Sequence, residues 1–277
     1  MASQSFYRVV TEAVRYFEEH GFTSAEVLQQ WVEKIRRSAH ETLTPESVLN
    51  EELQRTLGGI YKRLVDGGQL LKTHEGVGKF TIERLKPKLR VELDRRLAVS
   101  RTLIKINREQ AVEKAIQRMA GWASSIPAGG SRAVDVKDTK EHIRKALTSL
   151  PFEERRCVID QSAKFVSSLN EIVAVDGGAI AVIWNIRHSA GYHNRPDHKE
   201  RAGKIYLLRS SWAKEKGLVK PGSAGYYDDI TSFGEEIFCS CWGTWIYNVR
   251  DLPSDMVTEK GKEELAAARA KIAAMRA

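Results

Sequence analysis

Apolar residues change their period at Gly177-Gly178, and no single repeating architecture accommodates both sides of that switch. Upstream, they recur at three- and four-residue steps, the spacing of one helix face. Phe6, Val9, Val10, Ala13, Val14 and Phe17 form one such stripe, ending at Gly21. Thr23-Ser24 offers an N-cap for the next, with Val27, Leu28, Trp31, Val32 and Ile35 behind it. Thr44-Pro45-Glu46 opens a third, carrying Leu49, Leu53, Leu57, Ile60, Tyr61 and Leu64 to Gly67-Gly68. Leu70 to Ile82, with Gly76 and Gly78, reads as a loop or short hairpin. Leu85, Leu89, Leu93 and Leu97 then begin a long helix that Ile104, Ala111, Ala115 and Met119 continue, with Pro87 near its start. Ile126-Pro-Ala-Gly-Gly130 breaks it, and a helical pair follows over Val136–Leu150 and Phe152–Val175.

Downstream of Gly178 the runs are short and rich in Ile, Val, Tyr and Trp: Ala179–Ile186, Lys204–Arg209 and Glu236–Val249. They predict strands joined by loops dense in Gly, Pro, Asp and His. Met256–Ala277 is rich in Ala, Lys and Glu and predicts an exposed terminal helix. The expected class is α+β: a helix-rich N-terminal two-thirds, a small β-containing C-terminal domain and a terminal helix. The expected organisation is a helical region over 1–83, a basic helical segment over 84–125, a C-terminal domain over 126–252 and a tail helix over 253–277.

The longest apolar run, Ala179–Trp184, is far short of the ~18 residues a membrane span needs. The N-terminus has no basic region followed by an apolar core, so neither a membrane nor a secretory route is expected. Three cysteines cannot all pair, which makes a reducing compartment the default. The charge is uneven. Between Arg84 and Arg118 lie eleven basic residues (Arg84, Lys86, Lys88, Arg90, Arg95, Arg96, Arg101, Lys105, Arg108, Lys114, Arg118) and four acids (Glu92, Asp94, Glu109, Glu113). That is 11 − 4 = +7 of a total of +8. A basic run of this kind either binds a polyanion or an acidic protein face, or is simply a solvated helix surface. Lys86, Lys88, Arg90, Arg95, Arg96, Arg101, Lys105 and Arg108 are its candidate binding residues, and Arg90, Arg95, Arg101, Lys105 and Arg108 are expected to make an exposed stripe.

A dense polar constellation lies at Arg187, His188, His193, Arg195, Asp197, His198, Lys199, Glu200 and Arg201, with Cys239-Ser240-Cys241 some forty residues on. Imidazole and thiolate are the ligands zinc prefers, and a tetrahedral structural site takes four. His193, His198, Cys239 and Cys241 are the candidates. The competing reading makes the cysteines small apolar residues on one strand face, and makes His198 a loop anchor that donates to a backbone carbonyl. On that reading the group stabilises the fold and catalyses nothing. No GxSxG elbow, P-loop, GxGxxG or HExxH motif is present, and Cys157 sits in a helical pattern where packing is its expected role.

Three features taken together resemble the phage Mu F type of tailed-phage head morphogenesis proteins. They are Ile183-Trp184, the motif Arg195-Pro-Asp197-His198-Lys-Glu-Arg-Ala-Gly203, and Cys239-Ser-Cys241. Met119–Gly130 is also similar to phage and prophage sequences. The resemblance runs from about Arg84 to Pro253 and leaves the first 83 residues outside. One departure is that Glu236-Ile237-Phe238 precedes the Cys-x-Cys where that family often has His-Pro-Asn. The resemblance implies a structural virion component rather than an enzyme. It would be a minor head protein at the portal vertex, acting in head morphogenesis and DNA packaging, found in the virion and, during assembly, in the host cytoplasm. Its implied partners are the portal protein, other head proteins and packaged double-stranded DNA, with no small-molecule substrate. That family includes versions fused to toxin domains, whereas only a short helix is expected after Pro253 here and no toxin cargo, and the residues themselves suggest no cofactor beyond a structural zinc.

Two other readings come from the residues. Gly67–Ile82 as a wing bearing Lys72, His74 and Lys79, after a helix over Pro45–Val65, would make a winged-helix DNA-binding accessory or regulator. The His/Cys group would alternatively serve a metal-dependent hydrolase or nuclease.

Overall fold

The computed structural model describes all residues except Met1, Arg132, Val134, 190–192 and Ala277. It is α+β, as the change of period requires. In chain order the elements are α1 (Ala2–His20), α2 (Ala25–Thr42), α3 (Glu46–Tyr61, running into a π turn over Lys62–Asp66), α4 (Gln69–Thr73), α5 (Lys79–Ser125), α6 (Val136–Thr148) and α7 (Leu150–Asp176). Then follow β1 (Ala181–Asn185), α8 (Pro196–Arg201), β2 (Ile205–Leu207), α9 (Trp212–Glu215), β3 (Trp242–Ile246) and the exposed α10 (Glu259–Arg276). Among the described residues, no helix is long and apolar enough to cross a membrane.

The chain divides into two compact units. The first comprises residues 1–53 and 98–159, the second 54–97 and 160–277. In the first, the stripe Phe6, Val10, Ala13, Val14 and Phe17 of α1 packs on Val32, Ile35 and Ala39 of α2, on Val112, Ala115, Ile116, Met119 and Ala123 of α5, and on Ile143, Ala146 and Leu147 of α6. Ser24 caps α2 by accepting from the Val27 amide, and Asp135 caps α6 through the amides of Lys137 and Asp138. The breaker segment closes against α1: Gly129 N–H donates to His20 and Ser131 N–H to Glu18.

The second unit is built on a three-stranded antiparallel sheet in the order β2-β1-β3. Ala181 pairs with Leu207 on one side and Ile246 on the other. Successive β1 side chains point to opposite faces, and here both faces are covered. Val182 and Trp184 join a core with Tyr206, Tyr227, Phe233, Cys239, Cys241 and Trp245. Ala181 joins another with Leu207, Val219, Ile246, Leu252 and Met256. A strand covered on both faces reads as a continuous apolar run, which explains Ala179–Ile186.

Three local expectations need correction. Residues 70–82 form no hairpin: α4 occupies 69–73, and α5 starts at Lys79. With no strand before β1 among the described residues, the wing of a winged helix is missing. The earlier start of α5 also moves Pro87 into the helix interior, where no amide is available for the Glu83 carbonyl. Finally, Asp197 and His198 lie on the short α8, which opens with Pro196 at its first turn, and not in a loop.

His74 holds the α4–α5 turn in place. Fully buried, it contacts Tyr247 Oη through Nδ1 at 2.6 Å and Asn170 Oδ1 through Nε2 at 3.0 Å. Asn170 Nδ2 donates to the Val166 carbonyl, which fixes Oδ1 as an acceptor. Nε2 therefore carries the proton, and Nδ1 accepts from the tyrosine hydroxyl. Burial pushes the His74 pKa down, against the Asn170 hydrogen bond, and keeps the ring neutral. Beside it, Gly76 lies so close to Tyr247 that a Cβ would sit 2.3 Å from the ring, whereas one at Gly78 would meet nothing. Gly76→Ala is therefore expected to destabilise by ~1–3 kcal/mol, as overpacking does. Gly78→Ala should leave the denaturation midpoint nearly unchanged, so urea unfolding of the two variants checks the difference.

Glu171 on α7 supplies a pH handle. Burial, with Glu235 and Asp228 nearby, raises its carboxyl from 4.5 to about 7. The fold favours the protonated form, so this stabilisation is full below 4.5 and lost as pH rises through about 7. Glu171→Gln should raise Tm at about pH 8 and match the parent near pH 4, as read by thermal melts across that range.

Candidate functional site

The motif residues of 195–203 and 236–241 meet in the second unit. Arg195 Nε pairs with Glu236 Oε2 at 2.9 Å, and an Arg195 Nη donates to the Ile237 carbonyl at 2.8 Å. Asp197 pairs with Arg201 one turn later on α8 at 2.9 Å, and Arg201 also reaches Thr231 Oγ1 and lies over the Trp184 ring. Gly203, at φ +75°, turns the chain out of α8 so that its N–H donates to the Trp184 carbonyl and β2 can pair with β1. Each fixed position of the motif thus has a mechanical job.

At the centre, His198, Cys239 and Cys241 are each 3% exposed. His198 Nδ1 lies 3.4 Å from Cys241 Sγ and 3.9 Å from Cys239 Sγ. Its other nitrogen, Nε2, faces Glu236 Oε1 at 3.4 Å and Asp197 Oδ2 at 3.7 Å. His198 therefore sits between sulfur and carboxylate, and the expected backbone carbonyl is not among these contacts. The cysteines precede β3 in irregular backbone and do not lie on the strand. Both sulfurs still turn inward, because the loop before them is clamped to α7. Asp160 accepts from the Phe238 amide at 2.6 Å, and Lys164 donates to the Glu235 carbonyl. Phe238 has φ +57°, a left-handed conformation costly for a bulky residue.

The two thiols titrate as a pair. The hydrogen bond from Cys241, backed by the backbone amides of Cys241 and Gly234 and by His198, pulls Cys239 down. The same bond, together with burial, pushes Cys241 up. The pair can thus hold a thiolate at Cys239 with its neighbour protonated. His193 stands apart. It is exposed, next to Asn194, whose amide donates to the Arg187 carbonyl, and it belongs to no ligand-like group among the described residues. Glu236 is the site residue that sequence reasoning misses, and only its place directly before the Cys-x-Cys loop signals it.

The basic helix is less uniform than its sequence. Arg84, Lys88, Arg90, Arg95, Arg101 and Lys105 are exposed. Lys86 pairs with Glu83 and Asp66, Lys88 with Asp176, and Arg90 with Asp94. Arg95 and Arg96 both grip the buried Glu92. Burial raises the Glu92 pKa, but these two hydrogen-bonded arginines outweigh it and hold the carboxylate ionised. Two expected binding residues are interior. Arg96 reaches Gln161 and Ser168 of α7, and Arg108, 6% exposed, pairs with Glu154 at 2.5 Å and donates to the Thr44 carbonyl. The expected stripe therefore loses Arg108. Arg101 and Lys105 keep no ion pair among the described residues and line a cleft of about 180 Å³ with Glu46, Leu49 and Asn50.

Comparison of the chain with protein families, curated proteins and solved structures finds no match. The site's chemistry therefore rests on its geometry.

Arg108→Ala should destabilise by ~3–5 kcal/mol, because Glu154 is left as an uncompensated buried charge. Arg101→Ala, an exposed cation with no partner to strand, should stay within ~0.5 kcal/mol. Chemical denaturation of the two variants separates the interior arginine from the surface one.

Proposed function

We propose that the protein is a minor head component of a tailed phage, a structural virion protein that acts at the portal vertex in head assembly and DNA packaging. The observation that carries this reading is the convergence of its motif residues. Arg195, Asp197, His198, Gly203, Cys239 and Cys241, spread over more than forty positions of sequence, tie α8, β1 and the loop before β3 together around the buried His198, Cys239 and Cys241. A lock whose central imidazole and thiols are turned inward is what a scaffold needs. A catalyst needs a nucleophile and base facing a substrate-sized cleft. The exposed cations of α5 add a surface for packaged DNA or an acidic face of a neighbouring head protein, and counterion release would make such binding to DNA strongly salt-dependent.

Quantitative mass spectrometry of purified virions from a strain carrying the gene tests this reading. The expected result is a few copies per particle, co-purifying with the portal protein. Absence from DNA-filled particles overturns it. For the surface, Arg90, Arg95 and Arg101 all changed to Glu should weaken double-stranded DNA binding uniformly across sequences. The salt dependence of binding should flatten by roughly one slope unit for each phosphate that the variant no longer neutralises. Unchanged binding and unchanged DNA retention would reduce the run to a solvated face.

A further inference from the structure

We propose that His198, Cys239 and Cys241 bind a zinc ion, with His198 Nδ1 and the two sulfurs as its protein ligands and Glu236 as the carboxylate that orients the imidazole from behind. The inference stands on the geometry of this group and holds whether or not the protein is a virion component.

Ligand spacing is the first support. Zinc–sulfur bonds of ~2.3 Å and zinc–nitrogen bonds of ~2.0–2.1 Å, set at tetrahedral angles, put nitrogen and sulfur about 3.5 Å apart along an edge. The observed separations of 3.4 and 3.9 Å bracket that value, and all three ligand atoms lie within 4.8 Å of one another. A neutral hydrogen-bonded cluster has no need to bring both sulfurs to the same ring nitrogen, since that nitrogen offers one lone pair or one proton.

The second support comes from the far side of the ring. Metal-bound histidines commonly donate their other N–H to a carboxylate, which fixes the tautomer and raises ligand basicity. His198 Nε2 faces Glu236 at 3.4 Å and Asp197 at 3.7 Å. Glu236 and Asp197 are themselves held by Arg195 and Arg201. Nδ1 is thereby left with its lone pair toward the sulfurs.

The third support is charge. With three protein ligands, the fourth position falls to a water molecule. Two thiolates balance the charge of the divalent ion, so binding releases thiol protons to solvent and leaves no net charge in the core. The ion would tie α8 to the loop before β3 and stabilise the fold.

The test uses the full chain, expressed with added zinc and purified without chelator. Elemental analysis should find one equivalent of zinc per chain, retained in Cys157→Ser and lost in Cys239→Ser and Cys241→Ser. Because the last two variants can fail by misfolding, the parent protein supplies the decisive reading. After chelation, cobalt(II) should restore a thiolate-to-cobalt charge-transfer band with tetrahedral visible bands, and zinc should bleach them. Glu236→Gln should keep the spectrum but weaken metal binding ~10–100-fold. No thiolate–cobalt band in the parent protein, no zinc in the supplemented preparation, or full zinc retained in the Cys239→Ser/Cys241→Ser double variant would each overturn the proposal.

Discussion

The indole of Trp184, fully buried on the middle strand of the sheet, sets the positions of the groups around it. Phe233 lies against it at 4.4 Å, His198 at 5.6 Å, Tyr206 at 6.4 Å, and the Arg201 guanidinium at 5.1 Å. Losing one buried aromatic of this size costs ~3–5 kcal/mol, a large part of the roughly 5–15 kcal/mol that holds an ordinary domain together. The polar lock of Arg195, Asp197, His198 and the cysteines is assembled on that apolar support. Exposed ion pairs such as Lys204–Glu200 add little by comparison.

Periodicity reveals most of the fold. The stripes of α1, α2, α6 and α7, the Gly177-Gly178 stop and the three short strands all follow from apolar spacing, because burial acts on one face of a helix and on both faces of β1. What periodicity misses lies where a single tertiary contact outweighs local preference. Residues 69–73 fold as helix despite the flanking glycines, since Leu70 is buried and His74 is pinned between Tyr247 and Asn170. Six residues around His198 form a helix that Pro196 can start but that no six-residue pattern announces.

The same limit applies to the site. The convergence of His198 with Cys239 and Cys241 is visible as residue types suited to one another, and the exclusion of His193 is not, because loop direction leaves no trace in ligand chemistry. Net charge is an equally blunt guide along α5. Arg96 and Arg108 look like their exposed neighbours in sequence, yet each reaches inward, Arg96 to Gln161 and Ser168 and Arg108 to Glu154 and the Thr44 carbonyl. A helix that carries nearly all the excess charge of the chain thus spends part of it on internal pairing.

The clamp of Asp160 on the Phe238 amide joins residues 78 apart in sequence, and His198 meets Cys239 across 41. Contacts of that span form late, after the loops that separate them have closed, whereas the helices of the first unit gain their hydrogen bonds locally. The two thiols are therefore sheltered only after such long-range contacts have closed. During synthesis and refolding they stand open to solvent one residue apart, and the low proton affinity that the finished site gives Cys239 is not yet in force. Oxidation in that interval would trap the chain before its lock can close, so the expected yield of folded protein depends on the reducing power of the medium as well as on the stability of the fold.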